Sequence, residues 1–433
     1  MKKVLFITYY FPPMGMAGVQ RAVKFVKYLP EFGWEPIVLT VKDVSYLAYD
    51  HSLLNEISGT TIYRTNSFDP LRIGWKMSCM FKKDLERNTS VHFLRFSHLI
   101  NRHLFPWIFI PDTKIPWIPC ALKKADQILQ NHHIDLIFTT SPPHSAHLIG
   151  LSLKKKREIP WLADFRDNWK TEQFERGPTV FHRKLDRWVA NRVISEADKV
   201  IAVTHSITRD LAQRSLRNQR DFFTIPNGFD QAEFDTTKPS VSDPKKWTLT
   251  YCGSLYPKRN PERLLQAVAD AIHDRPDMKE NICIRLVGTL FEVDLQRMIH
   301  QYELENTVEL TGYVSHRESI RYLMRSDCLI LLITKDESRG VATGKIYEYL
   351  ASGKPILALI PKGEAEKLII KHARGVVVPP DDVNGIKAQI IRAFDLWKRN
   401  DLKITVSRWK GIEQYARRNQ TKVLADIFNQ CIK

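Results

Sequence analysis

A short stretch in the second half of the chain has the residue types of a phosphate-binding loop. Residues 340–355 read GVATGKIYEYLASGKP and lie between two apolar runs that predict buried strands. The backbone N–H groups that would be available to an anion at the start of the predicted helix belong to Gly340, Val341, Ala342, Thr343 and Gly344. Lys345 adds positive charge in the first turn, where the helix dipole disfavours a lysine, and Glu348 follows one turn later, within reach of ribose hydroxyls. The pattern predicts a nucleotide-type anion site; an ordinary loop before a helix that ends at a C-capping Gly353 is the alternative.

A second loop of this type follows the strand predicted at residues 247–251. It reads CGSLYPKRNP over residues 252–261 and precedes another predicted helix. Gly253 permits a close approach of the backbone to a ligand. Lys258 and Arg259 can clamp a diphosphate, Arg259 with bidentate geometry. A solvated basic loop is the alternative interpretation.

In the first half of the chain, the loop after the first predicted strand contains Gly15 and Gly18. These glycines open a helix as a phosphate or sugar loop would, with Arg21 one turn in. Two glycines in this spacing are weak evidence, because a plain turn contains the same residues.

Polar side chains also follow two later strands of the first half. Residues 161–169 read WLADFRDNW, and Asp164, Arg166 and Asp167 can bind sugar hydroxyls, with a carboxylate as a general base for an acceptor. A helix-capping aspartate paired with Arg166 is the alternative. His144 lies in TSPPHS, where a single histidine is more often structural than catalytic, so both roles stay open.

These loops need strands and helices to hold them, and alternating strand and helix patterns run along the whole chain. Strands are predicted at 4–8, 35–40, 136–140, 159–163, 199–203 and 222–225, and then at 247–251, 282–287, 308–310, 328–333, 355–360 and 375–378. Short apolar runs without strict alternation, separated by amphipathic helices, are typical of parallel sheets covered on both faces. The predicted fold class is α/β, with two doubly wound, Rossmann-like domains whose parallel sheets face a central cleft.

The segment 236–244 is short, polar and contains two prolines, so it is the best linker in the chain. We therefore predict an N-terminal domain at 1–238, a C-terminal domain at 239–400 and a helical tail at 401–433 that packs back on the first domain. Residues 68–120 interrupt the first domain and combine Trp and Phe with Lys and Arg. This composition fits a surface that touches a membrane; an insertion that packs its aromatic residues on its own domain fits equally well.

The overall composition limits the partners of the protein. The 433 residues contain 65 Lys and Arg against 48 Asp and Glu, and the net charge of +17 favours a phosphorylated ligand or an anionic membrane. No helix-turn-helix, RRM or zinc-finger pattern supports nucleic acid as a partner. Six scattered cysteines without a C-x-x-C pair argue against a zinc site and give no disulfide framework. The apolar N-terminus is a poor signal peptide, and no run approaches the roughly 18 residues of a membrane span, so we expect a cytoplasmic protein, peripheral on the inner face of the plasma membrane.

Taken together, eight motifs in order resemble the nucleotide-sugar-dependent glycosyltransferases of family 4, which have the GT-B fold. The motifs are YxFPPxG at 9–15, PDxKxxW at 111–117, SPPHS at 141–145, ADFRDxW at 163–169, NGFD at 227–230, YxGxxYPxR at 251–259, GYV at 312–314 and KIYEYLASGKP at 345–355. The similarity covers nearly the whole chain and is greatest to bacterial members of surface-polysaccharide pathways.

The resemblance implies that the second domain binds the nucleoside diphosphate of the donor. Arg259 matches the position of the family's phosphate-binding lysine, with Lys345 as a second cation, and Glu348 matches the ribose-binding glutamate. The Gly15–Gly18 loop faces the diphosphate from the first domain, which also holds the acceptor. Members of the family are usually retaining and need no metal or other cofactor.

Two positions depart from the family pattern. The first of two glutamates usually separated by seven residues would fall at Gly340, which puts the contact to the donor sugar in doubt. Ser254 stands where an arginine is usual, which leaves more of the phosphate charge to Arg259 and Lys345.

The expected function is transfer of a sugar from a nucleoside diphosphate sugar to a lipid-linked or polysaccharide acceptor, in synthesis of cell-surface polysaccharide such as lipopolysaccharide. A sugar-nucleotide epimerase of the same fold and a nonenzymatic sugar-nucleotide-binding protein are the alternatives. An epimerase differs from the transferase in that its reaction needs no acceptor. A nonenzymatic binding protein differs from it in that no product forms.

Overall fold

The computed structural model describes residues 1–15, 17–42, 44, 48–70, 72–73, 105–169, 179–215, 217–236, 245–334, 343–401 and 409–432. The chain divides into two compact units. The first unit comprises Met1–Pro226 with Gln420–Lys433, and the second comprises Asn227–Asn419. Each unit is built on a parallel sheet with helices between its strands, which confirms the predicted α/β class with two Rossmann-like domains.

The sheet of the first unit has seven parallel strands in the order β3-β2-β1-β4-β5-β6-β7. The strands are β1 Lys2–Ile7, β2 Trp34–Val41, β3 Thr61–Thr65, β4 Leu136–Ser141, β5 Trp161–Phe165, β6 Lys199–Ala202 and β7 Phe222–Thr224. The helices are Ala17–Tyr28, Ser52–Asn55, Phe105–Ile108, Ile118–Asn131, Ser145–Arg157, Val180–Glu196 and His205–Gln213, with short 3-10 turns at Leu29–Phe32, Ile115–Trp117 and Gln219–Asp221.

The edge strand β3 is absent from the strands predicted from sequence. Its residues TIYRT pair in parallel with β2 from Ile37↔Thr61 to Val41↔Thr65. Most of its side chains are only partly buried. An edge strand of this kind lacks the apolar run that identifies the central strands.

The sheet of the second unit has six parallel strands in the order β10-β9-β8-β11-β12-β13. The strands are β8 Trp247–Cys252, β9 Ile282–Val287, β10 Val308–Gly312, β11 Cys328–Leu332, β12 Ile356–Leu359 and β13 Gly375–Val378. The helices are Gln231–Asp235, Glu262–Asp274, Leu295–Gln301, His316–Arg325, Gly344–Ser352, Glu364–Lys371 and Val383–Lys398, with 3-10 turns at Pro276–Met278 and Glu413–Tyr415; a last helix, Arg417–Cys431, leads back into the first unit.

Each sheet buries apolar side chains on both faces, as its continuous apolar strands require. In β1, Leu5 and Ile7 belong to one cluster, and Val4 and Phe6 belong to another, because successive side chains of a strand point to opposite faces. Each such side chain contributes about 1.5–3 kcal/mol when it is fully buried. The apolar packing on the two faces holds the strands in position, and the candidate loops begin at the ends of these strands.

The boundary between the units lies at Pro226 and Asn227, not at the predicted 238, and only the end of the predicted tail joins the first unit. The reason is that the chain around Phe229 pairs within the second unit. Its N–H donates to the Tyr415 carbonyl (3.1 Å), its carbonyl accepts from the Arg417 N–H (2.8 Å), and its ring stacks on Trp409 at 5.6 Å. Among the described residues, no helix combines the length and apolar character needed to cross a bilayer.

The strand orders place a topological switch point in each sheet. In the first sheet it lies between β1 and β4, and in the second it lies between β8 and β11, where the chain turns from one side of the sheet to the other. Ligands of open α/β sheets bind at the carboxyl ends of the strands beside such points. Four of the loops singled out from the sequence follow these strands, and the loop with Arg166 and Asp167 follows the neighbouring β5.

Candidate functional site

Just after the end of β8, Gly253 allows the Lys345 side chain to lie unusually close to the backbone. Gly253 has φ +147°, and its N–H donates to the Val287 carbonyl at 2.7 Å. A Cβ at this position would lie 1.5 Å from Nζ of Lys345. At Gly288, with φ +141°, a Cβ would lie 2.2 Å from the Gly253 carbonyl oxygen. Glycine is therefore required at both positions, because any side chain would collide with the neighbouring atoms.

Tyr251 holds the ammonium group of Lys345 in place. The Tyr251 hydroxyl donates to the Ser254 carbonyl (2.9 Å) and accepts from Nζ of Lys345 (3.1 Å), while the ammonium lies 4.7 Å from the centre of the Tyr251 ring. Within the described part of the chain, Lys345 makes no ion pair with a carboxylate. A positioned, half-buried lysine without an acidic partner is suited to bind an anionic ligand.

The helix that carries Lys345 begins without a side-chain cap. Its N-cap residue Thr343 makes no capping hydrogen bond, the first turn from Gly344 has no acidic residue, and the hydroxyl of Thr343 has no partner among the described residues. Gly353, in the left-handed conformation, ends the helix as its C-cap. Open N–H groups at the first turn are a ready site for phosphate. Gly340, Val341 and Ala342 lie outside the described residues.

Glu348 belongs to a cluster that the sequence did not predict. Nε2 of His316 lies 3.0 Å from a carboxylate oxygen of Glu233 and 3.9 Å from one of Glu348. Burial raises the pKa of Glu348 above its ordinary value, with Glu233 acting in the same direction and His316 against it. Glu233 and His316 are missed because each is the partner of a residue far away in sequence. The only signal is that Glu233 lies three residues after the end of the NGFD motif.

Arg259 closes the tight turn of the β8 loop. Its N–H and carbonyl both bond to the backbone of Tyr256 (2.7 and 3.2 Å), and its guanidinium lies 5.1 Å from the centre of the Tyr256 ring. The half-buried Arg259 is more constrained than the exposed Lys258. Among the described contacts, Ser254 acts through its backbone carbonyl, which accepts the hydrogen bond from the Tyr251 hydroxyl.

In the first unit, Arg166 connects the loops that follow β1 and β4. Its guanidinium donates to the carbonyls of Ser141 (2.8 Å), Pro142 (2.9 Å) and Gly18. Gly15 is held by the bond from its N–H to the Ala48 carbonyl (2.9 Å). Because all three guanidinium nitrogens donate to backbone carbonyls, Arg166 positions these loops in this structure, and its predicted catalytic role stays a prediction.

Asp164 forms a buried ion pair with Arg21. Nε and Nη2 of Arg21 donate to its two carboxylate oxygens at 3.1 and 2.8 Å, and the Thr140 hydroxyl donates at 2.8 Å. The Asp164 side chain is 0% exposed and that of Arg21 is 2% exposed. In this structure the Asp164 carboxylate is buried and paired, and its predicted role as an acceptor contact or a base stays a prediction. Asp167 is exposed, and its predicted role stays a prediction.

His144 stacks on Trp169 at the end of β4. The ring centres lie 4.4 Å apart at 16°, and the Trp169 N–H donates to Asp186 at 3.0 Å. Burial lowers the pKa of His144 to about 3, so the imidazole is neutral at physiological pH. Its Nδ1 is buried and has no partner among the described residues. A neutral imidazole of this kind can exchange a hydrogen bond with a sugar hydroxyl.

The PDxKxxW motif has a structural role. Asp112 accepts from the N–H groups of Ser145 and Lys114, both at 2.9 Å, and thereby supports the start of the helix after His144. The Trp117 side chain is fully buried, and its N–H donates to the Thr65 hydroxyl at 2.7 Å. Of the aromatic residues at 68–120, Trp117 therefore belongs to the core and cannot touch a membrane, whereas residues 71 and 74–104 lie outside the described chain.

Comparison with known proteins assigns the family. A model of glycosyltransferase family 4 matches residues 18–233, and a model of group 1 glycosyl transferases matches residues 233–406. The chain belongs to the family 4 glycosyltransferases of the GT-B fold. The two matches meet at residue 233, close to the boundary between the two units.

Three related proteins illustrate how distant the similarity is. An uncharacterised glycosyltransferase of Methanocaldococcus jannaschii is 21% identical over 270 residues, which span 60% of this chain and just under two thirds (66%) of that protein. A glycosyltransferase of Rickettsia africae has a TM-score of 0.62 at 16% identity, over 100% of this chain and 99% of its own. Sucrose-phosphate synthase of Thermosynechococcus elongatus has a TM-score of 0.65 at 15% identity, over 99% of both chains. At these identities the two solved structures show the common fold alone.

Proposed function

We propose that this glycosyltransferase moves a sugar from a nucleoside diphosphate sugar to a hydroxyl group of a lipid-linked or polysaccharide acceptor. The observation that carries the proposal is the position of Lys345, held by Tyr251 above Gly253 at an uncapped helix N-terminus. This arrangement concentrates positive charge beside the second switch point. A diphosphate is the anion that such a site fits best.

The donor half of the reaction depends on residues of the second unit. As the bond between the anomeric carbon and the phosphate oxygen breaks, the leaving diphosphate gains negative charge. Lys345, Arg259 and the N–H groups at the start of the Lys345 helix stabilise that charge in the transition state. Glu348, kept near His316, accepts hydrogen bonds from the ribose hydroxyls.

The acceptor half of the reaction depends on residues of the first unit. The acceptor hydroxyl forms the new bond to the anomeric carbon, and its proton passes to an oxygen of the leaving diphosphate. This step requires no strong protein base, which agrees with the burial of Asp164. His144, neutral and beside Trp169, orients a sugar hydroxyl. We propose retention of anomeric configuration and no metal requirement, with the cationic side chains in place of Mg²⁺.

The net charge of +17 supports an acceptor at an anionic membrane. We propose that the protein acts at the inner face of the plasma membrane, in synthesis of a cell-surface polysaccharide.

Thermal unfolding in the presence of UDP, GDP, ADP, CMP and dTDP, without metal and then with Mg²⁺, tests the donor site. Saturation at 100 times the dissociation constant adds about 2.7 kcal/mol, which raises Tm by several degrees. A shift with one nucleotide in the absence of metal supports the proposal and identifies the base for a screen of donor sugars. Product that forms only when an acceptor is present separates transfer from epimerisation. Absence of a shift with every nucleotide contradicts the donor site.

A further inference from the structure

We propose that the exposed face of the helix Val180–Glu196, together with Trp107 and Ile108, is the surface by which this protein binds an anionic phospholipid bilayer. The proposal deepens the membrane location given above and names the part of the first unit that makes the contact. Hereafter this face is called the docking face.

The docking face exposes large apolar side chains that a water-facing helix normally avoids. Phe181 is 69% exposed, Trp188 58%, Trp107 55% and Ile108 61%. Phe181 and Trp188 are two turns apart on one stripe, opposite the buried Ala190 and Val193. Aromatic side chains at a helix surface are typical anchors of the interface between water and lipid.

The two helices of the docking face contact each other, so their apolar groups form one patch. Nε2 of His182 lies 3.3 Å from the Trp107 carbonyl oxygen, and the rings of His182 and Trp107 are 5.9 Å apart. This contact places the short helix Phe105–Ile108 beside the first turn of the longer one. A contiguous apolar patch of this kind on a surface marks a site of interaction.

Positive charge surrounds the apolar patch. Lys184 lies on the same stripe as Phe181 and Trp188, and Arg187 flanks it; both are exposed. Neither of them pairs with a carboxylate in the described part of the chain. The guanidinium of Arg192 lies 5.5 Å from the centre of the Trp188 ring and pairs with Glu196 at 3.8 Å, so Lys184 and Arg187 carry the charge argument. Apolar anchors within a basic rim complement the acyl boundary and the anionic headgroups of a bilayer.

The other basic run of the first unit lacks this arrangement. Lys154 pairs with Asp198 (2.7 Å), Lys155 with Glu196 (3.6 Å), and Lys156 and Arg157 with Asp126 (both 2.7 Å). Because each of these cations has an acidic neighbour, the run at 154–157 has little net charge to attract lipid. It therefore supplies a charge-matched control.

Sedimentation of the full chain with phosphatidylcholine vesicles, with and without phosphatidylglycerol, tests the docking face. We expect binding only to vesicles that contain phosphatidylglycerol. The double variant Lys184→Glu/Arg187→Glu should weaken it about tenfold or more, because each basic group near the surface contributes several-fold. Phe181→Ser/Trp188→Ser should also release the protein. The controls Lys156→Glu/Arg157→Glu and Ile370→Ser, which alter an equal charge and an exposed apolar residue elsewhere, should bind as the parent does.

Three results would overturn the inference: no binding of the parent to anionic vesicles, equal weakening by both charge reversals, or a dimer in solution that Trp188→Ser dissociates. Unchanged Tm values confirm that the variants are folded. Vesicle binding is measured without donor or acceptor, and transfer to a water-soluble acceptor is measured in parallel. If the parent protein transfers sugar but does not bind anionic vesicles, the docking face alone is refuted. If it binds the vesicles but no nucleotide, the proposed function alone is refuted.

Discussion

Gly253 and Lys345 occupy complementary space: a methyl group on the glycine would lie 1.5 Å from the lysine ammonium. Gly253→Ala must therefore displace Lys345 and also strain a backbone at φ +147°. We expect this variant to lose the nucleotide-induced rise in Tm. Gly59→Ala, at an exposed position with no neighbour within 4 Å, is the matched control. A normal nucleotide response in Gly253→Ala would show that the ligand does not depend on this placement.

Removal of the Lys345 charge should impair the reaction more than it impairs folding. Lys345→Met keeps the aliphatic stem over Tyr251 and removes the ammonium, so kcat/KM should fall on the order of 10²-fold or more, as for loss of a group that stabilises developing charge. Arg259→Ala should have a similar effect. Lys362→Met, at an exposed position of the same unit, should behave as the parent in steady-state kinetics. Near-parental turnover in both site variants would contradict the assigned leaving-group role.

The buried pair of Asp164 and Arg21 should contribute to stability and not to chemistry. Asp164→Asn leaves Arg21 without its countercharge in the core, and we expect a loss of about 3–5 kcal/mol in the free energy of unfolding. Arg21→Met/Asp164→Leu should be less damaging, because neither charge remains. Asp126→Asn, which removes the half-buried partner of the exposed Lys156, should cost below about 1 kcal/mol. Denaturant titration measures all three, and an Asp164→Asn protein of full stability without turnover would instead support the predicted catalytic role.

The neutral His144 should make the first unit sensitive to acid. Its pKa is about 3 in the folded protein and about 6.5 in the unfolded chain, so its contribution to stability is present above pH 6.5 and is lost as pH falls toward 3. Well below pH 6.5, each such histidine lowers the free energy of unfolding by about 1.4 kcal/mol for every further pH unit. Unfolding at pH 7 and pH 5 should show a smaller loss in His144→Phe, which keeps a ring against Trp169. The exposed control His273→Phe should lose as much stability as the parent.

The sequence predicts those features of the fold and the site that depend on residues close together in the chain. The central strands and the glycine loops after β1 and β8 were predicted, because apolar runs and glycines act within a few residues. The pairing of Asp164 with Arg21 was not predicted, because Arg21 lies 143 positions earlier and only the fold brings the two side chains together. The cluster of Glu233, His316 and Glu348 was missed for the same reason. Trp117 and Trp107 look alike in sequence, yet one is in the core and the other is exposed.

The helix Arg417–Cys431 makes the first unit discontinuous in the chain. Phe428 lies 5.1 Å from Trp34 and 5.6 Å from Phe138, ring centre to ring centre, and Leu424 and Ile427 belong to the same apolar cluster. During synthesis on the ribosome, this face of the sheet must therefore stay open to water until the whole second unit has been made. The time for which this apolar face can cause aggregation is therefore the time needed to translate the second unit. The path of the chain thus requires the second unit to be synthesised before the first unit can finish folding.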